Sequence, residues 1–218
     1  SDKKEIQRWC NLQPGYPKQG DPSEYVFYVE EAMPQEDIRR NYFESLFEGK
    51  SPSVGYCLLP LLHQKGVLKS VWTTNFDRLT VTSFTQANQL VHEVAIDDKD
   101  RIFEVLSRSR FNHIALHGDY RYSKLKNTEA ELYSQESIFV EAMSSYFVDK
   151  HLIVMGYSGR DASLMSALEI VFAKRGSGVL YWLGMDPEPT NGIAQLLNIA
   201  TQNGRQAFYI QSPVFDEI

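Results

Sequence analysis

The chain has 218 residues, enough for one α/β domain with a sizeable core. Hydrophobic residues make up 43% and charged residues 23% of it, with a formal net charge of −6, so bulk charge offers nothing to nucleic acid or to an anionic membrane surface. No apolar run reaches the roughly 18 residues of a membrane span, and Cys10 and Cys57 stand alone without metal-ligand spacing, which suits two packing thiols in a reducing cytoplasm.

Ser1-Asp2-Lys3-Lys4 is not a signal peptide, and the chain is expected to be a segment of a longer protein. Residues 1–24 are polar and carry Pro14, Gly15, Pro17, Gly20 and Pro22, which predicts a loop or loosely held arm. Residues 25–66 predict a helical layer. Tyr25 to Met33 has a weak helical pattern, and Pro34 suits the first turn of the next helix. Ile38, Tyr42, Phe43, Leu46 and Phe47 then repeat at helical spacing up to Gly49. Ser51-Pro52-Ser53 opens another helix, with Tyr56, Leu58, Leu59, Leu61 and Leu62 expected inward and Gly66 as its stop.

From residue 67 to 218 strands and helices alternate. Strands are predicted at Lys69–Thr73, Val91–Ala95, His113–Leu116, Leu152–Met155, Val179–Leu183 and Gln206–Ile210. Helices are predicted at Asp77–Ala87, Lys99–Arg108, Ser134–Phe147, Asp161–Lys174 and Gly192–Gln202, the last stopped by Gly204. Asp119 to Tyr133 has no periodicity and reads as a long loop, a kind that usually has a function. Short apolar runs separated by helices read as parallel strands covered on both faces. The expected fold is therefore α/β, a Rossmann-like parallel sheet flanked by helices, with a helical layer at the amino-terminal side. In such sheets the ligand sits outside the carboxyl ends of the strands. Three polar sequences fall at predicted strand ends: Thr73-Thr74-Asn75-Phe76-Asp77, His117-Gly118-Asp119, and Gly156-Tyr157-Ser158-Gly159-Arg160-Asp161.

These three sequences resemble motifs of the sirtuin family. Residues 73–77 look like its Thr-Gln-Asn-(Ile/Phe)-Asp, His117-Gly118 its His-Gly, and Gly156-Tyr157-Ser158 its Gly-Thr-Ser. The wording Leu-His-Gly-Asp-Tyr and Gly-Tyr-Ser-Gly-Arg-Asp is most similar to the sirtuin-like domains of bacterial antiviral defence proteins. Those domains are generally NAD hydrolases. The resemblance runs from about Pro52 to Ile210. It departs from the family at two points: no Gly-Ala-Gly-x-Ser phosphate loop occurs, and the paired Cys-x-x-Cys zinc motifs of deacylase sirtuins are missing.

The resemblance implies NAD as substrate, no zinc, and a larger cytoplasmic defence protein with further domains or subunits, in which a homo-oligomer fits the pattern. Asn75 offers a donor and an acceptor for ribose hydroxyls or a water; the alternative is a loop Asn serving its own backbone. His117 is the expected base or hydroxyl polariser, whereas His63, His92, His113 and His151 read as surface or packing residues. Asp77 would stabilise positive charge as the nicotinamide–ribose bond breaks, or else cap a helix. Thr73, Thr74, Gly118, Gly156, Tyr157, Ser158 and Gly159 are expected to line the NAD site. The glycine turn would present backbone N–H groups to a phosphate or ribose, aided by the following helix. Arg160-Asp161 is either an ion pair or a cap. Tyr120, Arg121 and Tyr122 would either close over the ligand by stacking or form a solvated loop, and Trp182 and Gly184 would border the adenine. The reaction implied is hydrolysis of NAD to ADP-ribose and nicotinamide, with the lone segment nearly inactive for want of the phosphate loop. A non-catalytic NAD or ADP-ribose sensor and a pure interaction domain are the alternatives.

Overall fold

A computed structural model describes residues 3–17, 21, 24, 27, 31, 33, 35–75, 77–95, 110–116 and 136–217. Among these the elements run α1 (Lys3–Asn11), α2 (Glu36–Phe47), α3 (Val54–Gln64), β1 (Ser70–Thr73), α4 (Leu79–Gln86), β2 (Val91–Ala95), β3 (Phe111–Ala115), α5 (Glu136–Tyr146), β4 (Leu152–Val154), α6 (Ala162–Phe172), β5 (Leu180–Gly184), α7 (Asn191–Gln202) and β6 (Ala207–Gln211), then a 3₁₀ turn at Phe215–Glu217. All strand pairs are parallel. They form two three-stranded sheets, β1-β3-β2 and β4-β5-β6, flanked by helices as the alternating pattern predicts.

One apolar core joins the two sheets. It holds Val94 and Ile114 from the first sheet and Leu180 and Trp182 from the second, with Met143 and Phe147 between them and Leu168, Val171 and Leu196 from α6 and α7. The predicted stripe Leu164, Leu168 and Val171 on α6 is buried. Gly66 and Gly204 end α3 and α7 in left-handed conformations, φ +75° and +80°, which glycine adopts without steric cost.

Arg205 anchors the carboxyl-terminal sheet. It is 4% exposed and donates from Nε to the Gly178 carbonyl at 3.0 Å, from Nη1 to the Val171 carbonyl at 3.4 Å, and from Nη2 to the Phe147 carbonyl. Its guanidinium also lies 4.3 Å from the Phe172 ring centroid. A buried cation is tolerated when its donors are matched, and here it serves carbonyls near the ends of α5 and α6. Burial pulls its pKa below the ordinary arginine value.

The amino-terminal part departs from expectation. Lys3–Asn11 forms a helix where a loop was expected; Cys10 is fully buried and ties this helix down. On α2, Ile38, Tyr42 and Leu46 are 46%, 47% and 43% exposed. On α3, Leu58, Leu61 and Leu62 face solvent, and the buried positions are Gly55 and Pro60. The predicted helix Lys99–Arg108 and the loop Asp119–Tyr133 lie outside the described residues.

Candidate functional site

The end of β1 is built by local hydrogen bonds. Thr73 Oγ1 accepts the Asn75 backbone N–H at 3.0 Å. That turn leaves the Asn75 side chain exposed, with Nδ2 donating to Asp77 Oδ2 at 3.3 Å. Asp77 Oδ1 accepts the Leu79 N–H at 2.9 Å and so caps α4. Arg78, at the N-cap position, is left-handed with φ 53° and makes no side-chain cap bond. Its guanidinium instead grips Glu93 on β2, Nη2 to Oε2 at 2.6 Å and Nε to Oε2 at 3.1 Å. The helix-capping alternative for Asp77 is thus realised through one carboxylate oxygen, while the other faces Asn75.

Tyr56, in the first turn of α3, is partly buried and feels the charge of the Asp77 carboxylate. Burial first, and then the Asp77 carboxylate, raise its pKa above the ordinary tyrosine value.

The end of β3 is tied to the same place. Leu116 donates its N–H to the Thr73 carbonyl at 2.8 Å. His117 and Gly118 follow in sequence but lie outside the described residues, as do Asp119, Tyr120, Arg121 and Tyr122.

After β4 the chain turns through two left-handed glycines. Gly156, φ +68°, is exposed and has open space where a side chain would project. Gly159, φ +72°, is packed: a Cβ there would lie 3.3 Å from Ile193 Cγ1 and 3.6 Å from Trp182 Cζ2. Ser158 between them is exposed. Tyr157 turns its ring onto Trp182, centroids 5.8 Å apart, and donates its hydroxyl to the Asp161 carbonyl at 3.3 Å; burial, then Asp161, raise its pKa. Asp161 is a cap, accepting from Ser163 N at 2.9 Å and Leu164 N at 3.1 Å. A carboxylate therefore already occupies the amides at the start of α6. The expected help of this helix terminus to a bound phosphate is correspondingly reduced, and the free backbone lies earlier, around Gly156 and Ser158.

Trp182 and Gly184, expected to border the adenine, lie on β5. Trp182 is fully buried and belongs to the core. Gly184 is covered by the Tyr209 hydroxyl, which donates to the Asp186 carbonyl at 2.7 Å. Among the described residues no group of three or more His, Cys, Asp or Glu is placed to hold a metal ion, and no helix is long and apolar enough to cross a membrane.

A family model described as a SIR2-like domain matches residues 69–203. The chain belongs to the SIR2-like domain family. The match takes in β1 through α7 and thus both described strand-end turns, and the parallel sheets flanked by helices fit the Rossmann-like fold of a SIR2-like domain. Membership is compatible with an NAD-related function. No curated protein matches the sequence. The helices before Lys69 and β6 lie beyond the matched SIR2-like residues.

Proposed function

We propose that this SIR2-like domain hydrolyses NAD to ADP-ribose and nicotinamide, as the effector of a cytoplasmic antiphage defence protein with further domains or subunits. The observation that carries the reading is the β1 end, where an exposed Asn75 amide is held against the Asp77 carboxylate at 3.3 Å. The bond from ribose C1′ to the nicotinamide nitrogen breaks, its electron pair leaves with neutral nicotinamide, and positive charge develops on the ribose. Asn75 holds the attacking water or a ribose hydroxyl, Asp77 stabilises the positive charge, and His117 takes the proton as water bonds to C1′. Thr73, Thr74 and Gly118 border the ribose, and the Gly156–Gly159 turn offers its backbone N–H groups to the pyrophosphate. The Gly-Tyr-Ser-Gly-Arg-Asp wording and the missing Cys-x-x-Cys pairs support hydrolysis over deacylation and favour the defence context.

A second reading is a non-catalytic NAD or ADP-ribose sensor. Two observations favour it: the sequence has no Gly-Ala-Gly-x-Ser loop, and Asp77 and Asp161 both spend carboxylate oxygens on helix caps. Purified full-length protein carrying this chain is incubated with NAD, and nicotinamide release is followed alongside ADP-ribose binding by calorimetry. Equal release of nicotinamide and ADP-ribose is expected. Binding without release transfers the assignment to the sensor, and neither signal leaves an interaction domain.

A further inference from the structure

We propose that α3 of one copy of this chain packs on the outer face of the β4-β5-β6 sheet of a second copy, and that a two-fold dimer makes this contact twice. The inference does not rest on the NAD reading above. Val54–Gln64 contains no Asp, Glu, Lys or Arg. Its inward side carries His63, whose ring lies 5.9 Å from that of Phe84 and 5.4 Å from that of Phe111 between centroids. The opposite side carries Val54, Leu58, Leu61 and Leu62, which share one helical face and are all exposed, Val54 at 66% and Leu61 at 54%. A surface helix ordinarily turns charged residues outward, and a helix that is apolar all round is a buried one. The β4-β5-β6 sheet repeats the situation. One face lies in the core through Leu180 and Trp182. On the other, Ile153, Tyr181 and Phe208 form a cross-strand row, with Tyr181 stacked on Phe208 at 5.6 Å between centroids. Leu183 and Ile210 form the next row. Ile153 is 53% exposed, and Phe208 and Ile210 are exposed with it. A parallel sheet is ordinarily covered on both faces, and an exposed apolar patch marks a contact surface.

The two surfaces fit each other in chemistry and in size. Neither row of the sheet face and none of the four helix residues carries a charge, so the contact buries none, as suits the centre of an interface. The 11 residues of α3 make a helix about 16 Å long and about 10 Å wide. Three strands of 3 to 5 residues offer a face about 10 Å across and about 10–17 Å along. One helix fills that face. Made once, the contact falls short of the roughly 800 Å² that each partner buries in a standard interface. Made twice about a two-fold axis, the commonest symmetry of identical chains, it doubles. The fold also sets the two surfaces side by side. Exposed Val214 leads from β6 into the 3₁₀ turn, and that turn is fastened to the start of α3. Asp216 Oδ1 accepts from Ser53 Oγ at 2.5 Å and from the Gly55 N–H at 3.0 Å. Phe215 stands edge-on to the Tyr56 ring, centroids 5.0 Å apart. Gly55 permits this approach, since a Cβ there would fall 2.7 Å from Phe215 Cε1. Two neighbouring and complementary patches are what a two-fold axis between them exchanges.

The test is sedimentation velocity on the full-length protein carrying this chain, over a concentration series. The unmutated protein is expected to associate. Leu61→Lys on the helix and Phe208→Lys on the sheet each place a charge inside the contact, and each is expected to weaken association about thirty-fold or more, as for a central interface residue. Both positions are exposed, so the far-UV circular dichroism of the variants should match that of the unmutated protein; Leu58→Lys and Ile210→Lys take their place if it does not. Mixing is the sharper measurement. The helix variant keeps an intact sheet face and the sheet variant an intact helix, so the two together are expected to pair again through one undamaged contact, more weakly than the unmutated protein. A monomeric unmutated protein overturns the inference and leaves both surfaces to other parts of the same protein. Association that survives either substitution overturns it as well. Loss in both variants with no recovery on mixing overturns the pairing of helix with sheet.

Discussion

Asp216 reaches across 161 residues of sequence to accept the backbone N–H of Gly55 at 3.0 Å. The cap of α3 is thus supplied by the end of the chain. Loss of a helix cap costs about 1 kcal/mol, which lowers the melting temperature by about 2–4 °C in a domain of this size. Asp216→Ala is expected to show that loss in a thermal melt, and Asp216→Asn less of it.

Arg205 is a demanding position in the fold. Arg205→Met removes a donor from three carbonyls, at Gly178, Val171 and Phe147, of which Val171 keeps the Lys174 N–H. An unsatisfied buried polar group costs about 1–3 kcal/mol, and partial relaxation leaves an expected loss of about 3–5 kcal/mol. Arg205→Lys does not rescue it, because one ammonium cannot reproduce the guanidinium fork. Urea unfolding with far-UV circular dichroism reads both variants.

The two glycines after β4 separate backbone strain from packing. Both have positive φ, so alanine at either costs about 1–2 kcal/mol. Gly156 opens on empty space, whereas a Cβ at Gly159 presses on Ile193 at 3.3 Å. Gly159→Ala is expected to be the more destabilising by about 1 kcal/mol or more. Equal melting temperatures for the two variants contradict this.

Stability is expected to fall at alkaline pH. The phenols of Tyr56, Tyr146 and Tyr157 are all raised above 10.0, with burial the largest cause in each. Near pH 10 the unfolded chain gives up these protons while the folded chain keeps them. The contribution is therefore whole below about pH 10 and is lost as pH rises through the raised folded values. A denaturation series from pH 8 to 11.5 should show a decline that Tyr157→Phe makes shallower.

In the full-length protein, Asn75→Ala and His117→Ala are each expected to cut nicotinamide release by about a hundred- to ten-thousand-fold. Asn75 is exposed, so the melting temperature of its variant should stay within the effect of about 1 kcal/mol. If both variants turn over NAD at the parental rate, the catalytic assignment fails. If only the His117 variant does, Asn75 carries the essential role without it.

Legibility in the sequence followed how local each cause was. Val91–Ala95 is a strand at the predicted residues, a short stretch with two valines that follows the turn at Ala87-Asn88. The α6 stripe was equally plain, its period and its burial agreeing at Leu164, Leu168 and Val171. On α2 the period again placed a helix, but periodicity cannot say how deeply Ile38, Tyr42 and Leu46 are buried. Asp77 and Asp161 carried two readings in the sequence, and only the backbone amides they accept identify them as caps. Asp216 stayed hidden because its partners, Ser53 and Gly55, lie 163 and 161 residues away in sequence.

The Arg205 contacts also order events in time. Its carbonyl partners lie 27, 34 and 58 residues away in sequence, so the guanidinium finds all three only after β4, α6 and β5 have assembled. Closing such long loops is slow and comes late in folding. Bonds formed after the rate-limiting barrier oppose unfolding and leave the folding rate untouched. In chevron kinetics Arg205→Met should therefore steepen the loss on the unfolding limb, and the native protein's lifetime, more than its rate of formation, depends on this one side chain.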